Sequence, residues 1–218
     1  MRNSIQKGYP SGIPFLFTEH EEEYKMKKTK RLDRILKYEA HRVKVYEDVL
    51  EFPDGQIRHY DYVKNRDGAA ILLVDEEERA LLVRQYRNVE DNFMLEIPAG
   101  VTDPEDATPE VTAIREAKEE TGFYPTKVFR VGRVLNAAGL FDEHTTIFLG
   151  KDLKQEKLDA DPEESIEVVR IPVEEAVSMI YDGRIIDGKT IIALLAWVDV
   201  NRDPNKGGKM DAKKQKNF

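Results

Sequence analysis

The sequence predicts an α+β fold in which short strands outnumber helices and the helices come late in the chain. Segments that alternate apolar and polar residues begin near residue 34, and this alternation is typical of half-buried strands. The helical patterns follow residue 108 and do not alternate regularly with strands, as they would in a doubly wound sheet. With 218 residues, of which 40% are hydrophobic, the chain is long enough for one domain with a small appendage.

The composition excludes several classes of function. The net charge is −8, which disfavours nucleic-acid binding because phosphate backbones attract cationic surfaces. The sequence has no cysteine, which excludes disulfides, zinc–thiolate sites and thiol nucleophiles. No apolar run is long enough to span a bilayer, and the first residues, MRNSIQKGYP, lack the apolar core of a secretion signal. We therefore expect a cytoplasmic protein without nucleic-acid or membrane partners.

Four regions differ in pattern. Residues 1–30 form an arm of unknown role, and their charge-dense stretch EHEEEYKMKKTK is typical of a solvated helix or a poorly ordered segment. Residues 31–66 alternate around the turn PDGQ and predict a small antiparallel sheet of three strands. Residues 67–200 form the main domain. Residues 201–218 are polar and rich in lysine and glycine, which predicts a disordered tail.

The main domain begins with strands. The segment AAILLVDEEERALLVRQYR predicts a hairpin, because two apolar runs flank a charged turn. FMLEIPAG predicts one short strand that ends at Pro98 and Gly100. Further strands are predicted for KVFRVGRVLN, HTTIFLGKDL and ESIEVVRIP, and two late helices for VEEAVSMIYDG and DGKTIIALLAWVDV.

One helix is predicted between these strands, from Pro109 to Thr121. Thr108 suits the N-cap, Pro109 suits the first helical position, and Gly122 suits the C-terminal stop.

Three carboxylates share one face of this helix. Glu116, Glu119 and Glu120 have i, i+3 and i+4 spacing, while Val111 and Ile114 lie on another face and are available for packing. Carboxylates this close repel one another unless a cation lies among them, and oxygen ligands suit Mg²⁺ or Mn²⁺. The alternative is a solvated acidic surface.

The segment GVTDPEDATPEVTAIREAKEETGF resembles the Nudix box. Seven positions match that family pattern in order: Gly100, Arg115, Glu116, Glu119, Glu120, Gly122 and Phe123. Ala117 fills the apolar position between the acidic pairs, a mild departure. The loop carries one residue more than the family pattern. The acidic position of the pattern therefore falls on Asp106 when counted forward from Gly100 and on Ala107 when counted backward from Arg115. Asp106 or Glu105 would then support the loop and the motif arginine.

Other segments resemble the ADP-ribose pyrophosphatase branch of this family, over roughly residues 32–200. They are LEFPDGQ, LLVRQYR with LEIPAG, and ESIEVVRIPVEEA. The resemblance implies a Nudix α/β/α sandwich in which the sheet of residues 31–66 is swapped between the subunits of a homodimer. The branch marker Ser-Pro-Gly is replaced within NAAGLFDE, where Ala138 stands at the proline while Gly139 and Glu143 remain. This change weakens a specific preference for ADP-ribose.

The resemblance also implies the metal site and the base. Glu116, Glu119, Glu120 and the carbonyl of Ala99 would hold Mg²⁺, with Mn²⁺ as the alternative. Gly100 would permit the close backbone approach. The general base would come from the acidic loop DADPEESIEV, with Glu164 as the first candidate and Glu163 as the second.

The same resemblance implies five substrate-binding candidates, Arg87, Arg84, Glu96, Gly139 and Glu143. Arg87 suits bidentate phosphate contacts, and the alternative is a surface ion pair. Glu96 would contact the ribose or a metal-bound water, and the alternative is a strand carboxylate that faces solvent. The aromatic residues Tyr46, Tyr60 and Tyr62 either stack on the base or belong to the core.

The predicted function is therefore Mg²⁺-dependent hydrolysis of ADP-ribose or a related nucleoside diphosphate sugar, which gives a nucleoside monophosphate and a sugar phosphate. One alternative is another Nudix substrate, such as GDP-mannose or an oxidised nucleotide. A second alternative is a nucleotide sensor that binds without cleaving, and the intact carboxylates argue against it.

Overall fold

The computed structural model describes residues 28–41, 43–156 and 166–202. Most of the N-terminal arm, the C-terminal tail and the acidic loop of residues 157–165 lie outside the described residues. The two candidate bases, Glu163 and Glu164, are in that loop, so the structure does not test them.

The first sheet has the three predicted strands. They are β1 (Lys30–Glu39), β2 (Lys44–Glu51) and β3 (Ile57–Lys64), and they pair antiparallel in the order β1-β2-β3. The turn between β2 and β3 contains Gly55 with φ of 79°, a conformation that glycine adopts without steric cost.

The second sheet has seven strands, and most of them were predicted. They are β4 (Gly68–Val74), β5 (Arg79–Arg87), β6 (Asn92–Glu96), β7 (Ala99–Val101), β8 (Phe123–Leu135), β9 (His144–Gln155) and β10 (Ile166–Pro172). The main path is β10-β5-β4-β9-β8, with β6 on β5 and β7 on β4. The pair β4–β9 is parallel, whereas the other strand pairs are antiparallel.

The prediction of a single strand for FMLEIPAG was wrong. The segment forms β6 and β7, which pair with different neighbours and are separated by Ile97 and Pro98. Proline has no N–H for a ladder bond, so the strand is interrupted there. The Ile97 N–H donates instead to Thr190 Oγ1 at 2.9 Å, and the Pro98 carbonyl accepts from Ile71 N at 2.9 Å.

Helices cover both faces of the larger sheet, which confirms the α+β sandwich. They are α1 (Pro109–Thr121), α2 (Val173–Tyr181) and α3 (Gly188–Arg202). Alternate residues of β4 divide between two cores, as period-two geometry requires. One core joins residues 69, 71 and 73 of β4 to α1, and the other joins residues 70, 72 and 74 to α2 and α3.

The packing face of α1 differs from the predicted one. Its buried residues are Thr112, Ala113, Ala117 and Thr121, whereas Val111 is 44% exposed. The small side chains let the helix approach the sheet closely, and the acidic face is thereby fixed toward one end of the sandwich.

The small sheet joins the larger domain at the end of β3. Val63 N donates to the Leu140 carbonyl at 2.8 Å, and Asn65 N donates to Asp142 Oδ1 at 2.9 Å. Tyr62 also donates its hydroxyl to Asp142, and the guanidinium of Arg34 lies 3.6 Å from the centroid of the Tyr62 ring. Within the described ranges, no helix is long and apolar enough to cross a membrane.

Candidate active site

A cavity of about 570 Å³ lies where the acidic face of α1 meets β7 and the ends of the longer strands β5, β8, β9 and β10. Its lining includes the three glutamates predicted to bind metal, Glu116, Glu119 and Glu120. Ala99 and Arg87 line the same cavity. The fold therefore brings together residues that the sequence places in three separate segments.

The helix α1 begins and ends at the predicted residues. The Thr108 side chain accepts a hydrogen bond from Val111 N at 3.3 Å, and Pro109 takes the first helical position. Gly122 closes the helix in the left-handed conformation with φ of 76°, and its N–H donates to the Lys118 carbonyl at 3.0 Å. These caps fix which residues of the helix face the cavity.

Arg115 links the acidic face of α1 to the preceding loop. Its Nη1 atom lies 2.8 Å from Glu116 Oε1 and 2.9 Å from Glu119 Oε2, and its Nη2 atom lies 3.1 Å from Asp106 Oδ2. Burial lowers the pKa of the Arg115 guanidinium, but the bond to Asp106 and the charges of the two glutamates raise it overall. The arginine is therefore charged, and it offsets much of the repulsion among the carboxylates.

Asp106 takes the place of the expected loop acid. Its Oδ2 atom accepts hydrogen bonds from Thr112 Oγ1 at 2.9 Å and from Asp103 N at 3.3 Å, in addition to the contact with Arg115. Burial raises the pKa of Asp106, but these bonds lower it overall. The extra residue in the loop thus leaves an aspartate, not Ala107, in contact with the motif arginine.

Gly100 leaves room for the carboxylate of Glu116. A Cβ atom added at Gly100 would lie 2.0 Å from Glu116 Oε1 and 2.6 Å from Glu116 Oε2. Any side chain at this position would therefore displace that carboxylate. Gly100 itself is held in β7 opposite Ala69 of β4.

The donors around this point suit a hard divalent cation. They are carboxylate oxygens from two successive turns of α1 and the backbone of Ala99, with Gly100 allowing close approach. Within the part of the chain that the structure describes, no three acidic or histidine side chains converge as a preformed cation site. Arg115 contacts two of the carboxylates, so a cation would share their oxygens with this arginine.

A second charged network forms the wall around Arg87. Its Nε and Nη2 atoms donate to the two oxygens of Glu96 at 2.6 and 2.8 Å, and Lys189 donates to Glu96 Oε2. Glu96 is 2% exposed, so the interpretation of a solvent-facing carboxylate is wrong. Burial raises the pKa of Glu96, but Arg87 and Lys189 lower it from 4.5 to about 2. Arg87 thus forms an ion pair with a buried partner.

We expect this network to make stability depend on acidic pH. Because the pKa of Glu96 is lower in the folded protein, its contribution is present above about pH 4.5 and is lost as the pH falls toward about 2. The shift corresponds to about 3 kcal/mol of the free energy of unfolding. Chemical denaturation should show that Glu96→Gln is less stable at pH 7, with the difference shrinking across that window. A difference that does not change with pH would contradict this role.

The remaining substrate-binding candidates are not among the residues that line the cavity. Arg84 pairs with the exposed Glu167 at 3.3 Å. Glu143 accepts hydrogen bonds from Asn136 and Asn65, so it holds its loop against the end of β3. At Gly139, no described atom lies within 4 Å of an added Cβ.

The three tyrosines proposed to stack on the base, Tyr46, Tyr60 and Tyr62, are not among the residues that line the cavity. Tyr46 and Tyr62 pack on each other with ring centroids 5.7 Å apart, and Tyr60 stacks on Phe52 at 5.9 Å.

Several lining residues were missed by sequence reasoning. They are Asn65, Arg66, Gln85, Asp103 and Gln155. Arg66 is exposed and lies 3.7 Å from Asp103, so it contributes a cation at the cavity mouth. Lys189 was also missed, because its contact with Glu96 joins residues 93 positions apart and leaves no local signal.

Comparison with known proteins identifies the family. The family model described as NUDIX domain matches residues 64–194, which include the cavity, the whole of α1 and α2, and residues 188–194 of α3. The chain belongs to the Nudix family. The match begins at the last residue of β3, so most of the small N-terminal sheet lies outside it.

Similar Nudix proteins are named as pyrophosphatases. The ADP-ribose pyrophosphatase of Bacillus subtilis (strain 168) is 30% identical over 154 residues, which cover 70% of this chain and 83% of that protein. A GDP-mannose pyrophosphatase of Yersinia enterocolitica is 36% identical over 138 residues, which cover 59% of this chain and 71% of that protein. A crystal structure of an ADP compounds hydrolase shares the fold, with a TM-score of 0.72 at 24% identity over 84% of this chain and 97% of that one.

Proposed function

We propose that this Nudix hydrolase uses Mg²⁺ to cleave the diphosphate linkage of ADP-ribose or a closely related nucleoside diphosphate sugar. The products are a nucleoside monophosphate and a sugar phosphate. Relatives named as pyrophosphatases of ADP-ribose and GDP-mannose make the chain a phosphoanhydride hydrolase. The observation that carries the proposal is one cavity lined by three glutamates of a single helix and by Arg87.

The glutamates supply the metal site in this proposal. Glu116 and Glu120 would hold Mg²⁺, with Glu119 and the Ala99 carbonyl completing the set. Bound Mg²⁺ would neutralise charge on the diphosphate and polarise the attacking water. Arg115 bridges Glu116 and Glu119 through its Nη1 atom and links them to Asp106 of the loop.

Arg87 binds the diphosphate in this proposal. Its Nε and Nη2 atoms face Glu96, which leaves the Nη1 edge of the guanidinium for a phosphate oxygen. Arg87 belongs to the cavity lining, as does Glu120 on α1. A diphosphate in this position would lie between the arginine and the acidic helix.

The general base is proposed to come from the acidic loop, with Glu164 first and Glu163 second. Support comes from the residues that flank residues 157–165. Gln155 and Ile166, which lie on either side of that segment in the sequence, both line the cavity. A carboxylate within that segment would have to reach the attacking water to act as a base.

The substrate preference has one rival with its own support. Ala138 replaces the proline associated with ADP-ribose, and the GDP-mannose pyrophosphatase relative is 36% identical. The experiment is hydrolysis of ADP-ribose, GDP-mannose, UDP-glucose and 8-oxo-dGTP with Mg²⁺, read as release of nucleoside monophosphate. The proposal requires the highest kcat/KM for ADP-ribose or another nucleoside diphosphate sugar. Exclusive cleavage of the oxidised nucleotide would overturn it.

We also propose that the enzyme is a homodimer, with the small sheet exchanged between subunits. The support is the exposure of apolar side chains on β1: Leu32 is 46%, Leu36 48% and Tyr38 61% exposed in the single chain. Burying them against a second copy would remove this apolar surface from water. Light scattering at the mass of one chain would contradict the dimer.

A further inference from the structure

Lys189 lies behind the cavity wall and reaches Glu96 from a different element. It is the second residue of α3, and its side chain is 17% exposed. Its Nζ atom contacts Glu96 Oε2 and lies 2.9 Å from Asp187 Oδ1. Glu96 Oε2 also accepts from Arg87 Nη2 at 2.8 Å, so this oxygen joins Arg87 to Lys189.

The start of α3 is fixed against the same segment. Asp187 Oδ2 accepts from Thr190 N at 3.0 Å and from Thr190 Oγ1, and Thr190 Oγ1 accepts from Ile97 N at 2.9 Å. Ile97 directly follows Glu96 and precedes the turn into β7. The position of Lys189 is therefore set by hydrogen bonds and not by chance contact at the surface.

The charges of this network balance only when Lys189 is present. Arg87 and Lys189 carry positive charge, while Glu96 and Asp187 carry negative charge, so the four side chains sum to zero. Without Lys189 they sum to −1, behind a cavity already lined by Glu116, Glu119 and Glu120. Among these four side chains Arg87 would then be the one cation left to neutralise the buried Glu96, which would hold its guanidinium more tightly toward Glu96 and away from the cavity.

We propose that Lys189 is a positioning residue for substrate binding: it neutralises Glu96 and thereby lets Arg87 present its Nη1 edge to the substrate diphosphate. The inference rests on the proposed function, because it assigns the diphosphate to Arg87. Lys189 touches neither the substrate nor the reacting atoms. Its removal should therefore weaken binding and leave the chemical step nearly unchanged.

A double-mutant cycle with Arg87 tests this. In the wild-type background, Lys189→Met should raise KM for ADP-ribose by about tenfold or more, the cost of losing one charge-assisted contact, with kcat changed by less than about threefold. Lys189→Arg should restore KM to within about threefold, because it keeps the charge. In an Arg87→Gln background, Lys189→Met should have no further effect on KM.

The control is Lys127→Met, which makes the same chemical change at a surface pair with Asp152. It should leave KM and kcat at their wild-type values. If Lys189→Met does not fold, Lys189→Gln in both backgrounds carries the same test, because glutamine fills the space without the charge.

Two results would overturn the proposal. One is an unchanged KM in Lys189→Met, with only a lower unfolding midpoint, which would make the residue purely structural. The other is an equal rise in KM in both backgrounds, which would mean that Lys189 does not act through Arg87. Hydrolysis by the wild type is measured first, so a failure of the proposed function is seen separately from a failure of this inference. If the wild type prefers another nucleotide sugar, the cycle is run with that substrate.

Discussion

We expect Glu120→Gln to lower kcat for ADP-ribose hydrolysis by about a thousandfold. The amide keeps the shape of the side chain but removes a negative oxygen from the set that would hold Mg²⁺. Loss of a cation ligand at the reacting diphosphate costs charge neutralisation in the transition state, and a thousandfold corresponds to about 4 kcal/mol. The measurement is nucleoside monophosphate release at saturating ADP-ribose and Mg²⁺.

The matched control is Glu110→Gln, in the first turn of the same helix and outside the cavity lining. It makes the same change of charge and should keep kcat within about twofold of the wild type. If both variants lose activity equally, the loss would come from the helix as a whole. If Glu120→Gln retains full activity, Glu120 does not hold the catalytic cation.

The second large effect is expected for Gly100→Ala. The added Cβ would lie 2.0 Å from Glu116 Oε1, so the carboxylate must move away from the backbone of β7. A displacement of about 1 Å at a catalytic group can cost about a hundredfold in rate, and we expect kcat to fall by that amount. The displaced atoms belong to a side chain and not to the backbone. The free energy of unfolding should therefore change little, although kcat falls.

Gly132→Ala is the control for this substitution. No described atom lies within 4 Å of a Cβ added at Gly132, which is in β8. Its kcat should match the wild type. Full activity in Gly100→Ala would show that catalysis does not require Glu116 where the structure places it.

Local chemistry explains why α1 was predictable. Thr108, Pro109 and Gly122 act within a few residues of the helix ends, so their roles can be inferred without knowledge of the fold. The spacing of the three glutamates likewise fixes a shared face. The opposite face was predicted less well. Which residues face the sheet depends on how closely the sheet approaches, and Ala113 and Ala117 permit an approach that larger side chains would prevent.

In the loop before α1, counting positions along the sequence does not determine which residue contacts the motif arginine. The family pattern leaves Asp106 and Ala107 as equal choices, because a single extra residue shifts the register. Three-dimensional contacts with Arg115 and Thr112 select Asp106. Such a choice depends on how the loop folds back on the helix, and spacing alone does not contain that information.

The network of Arg87, Glu96 and Lys189 could not be predicted from the sequence for a different reason. The sequence indicates Arg87 and Glu96 as separate candidates on neighbouring strands. The β5–β6 register places Asn92 opposite Arg87 and Val83 opposite Glu96, so strand pairing alone does not predict their ion pair. Lys189 joins them only after α3 has packed on the sheet, 93 positions later in the chain. Long-range contacts of this kind depend on the whole fold, so local patterns do not reveal them.

The measurement that tests the central claim most directly is product analysis of ADP-ribose hydrolysis by the wild type in H₂¹⁸O with Mg²⁺. We predict stoichiometric AMP and ribose 5-phosphate, with one ¹⁸O atom in one of the two phosphates and no reaction when Mg²⁺ is removed by a chelator. Products that retain an intact diphosphate, or tight binding of ADP-ribose without turnover of any nucleotide sugar, would contradict diphosphate hydrolysis as the function of this site.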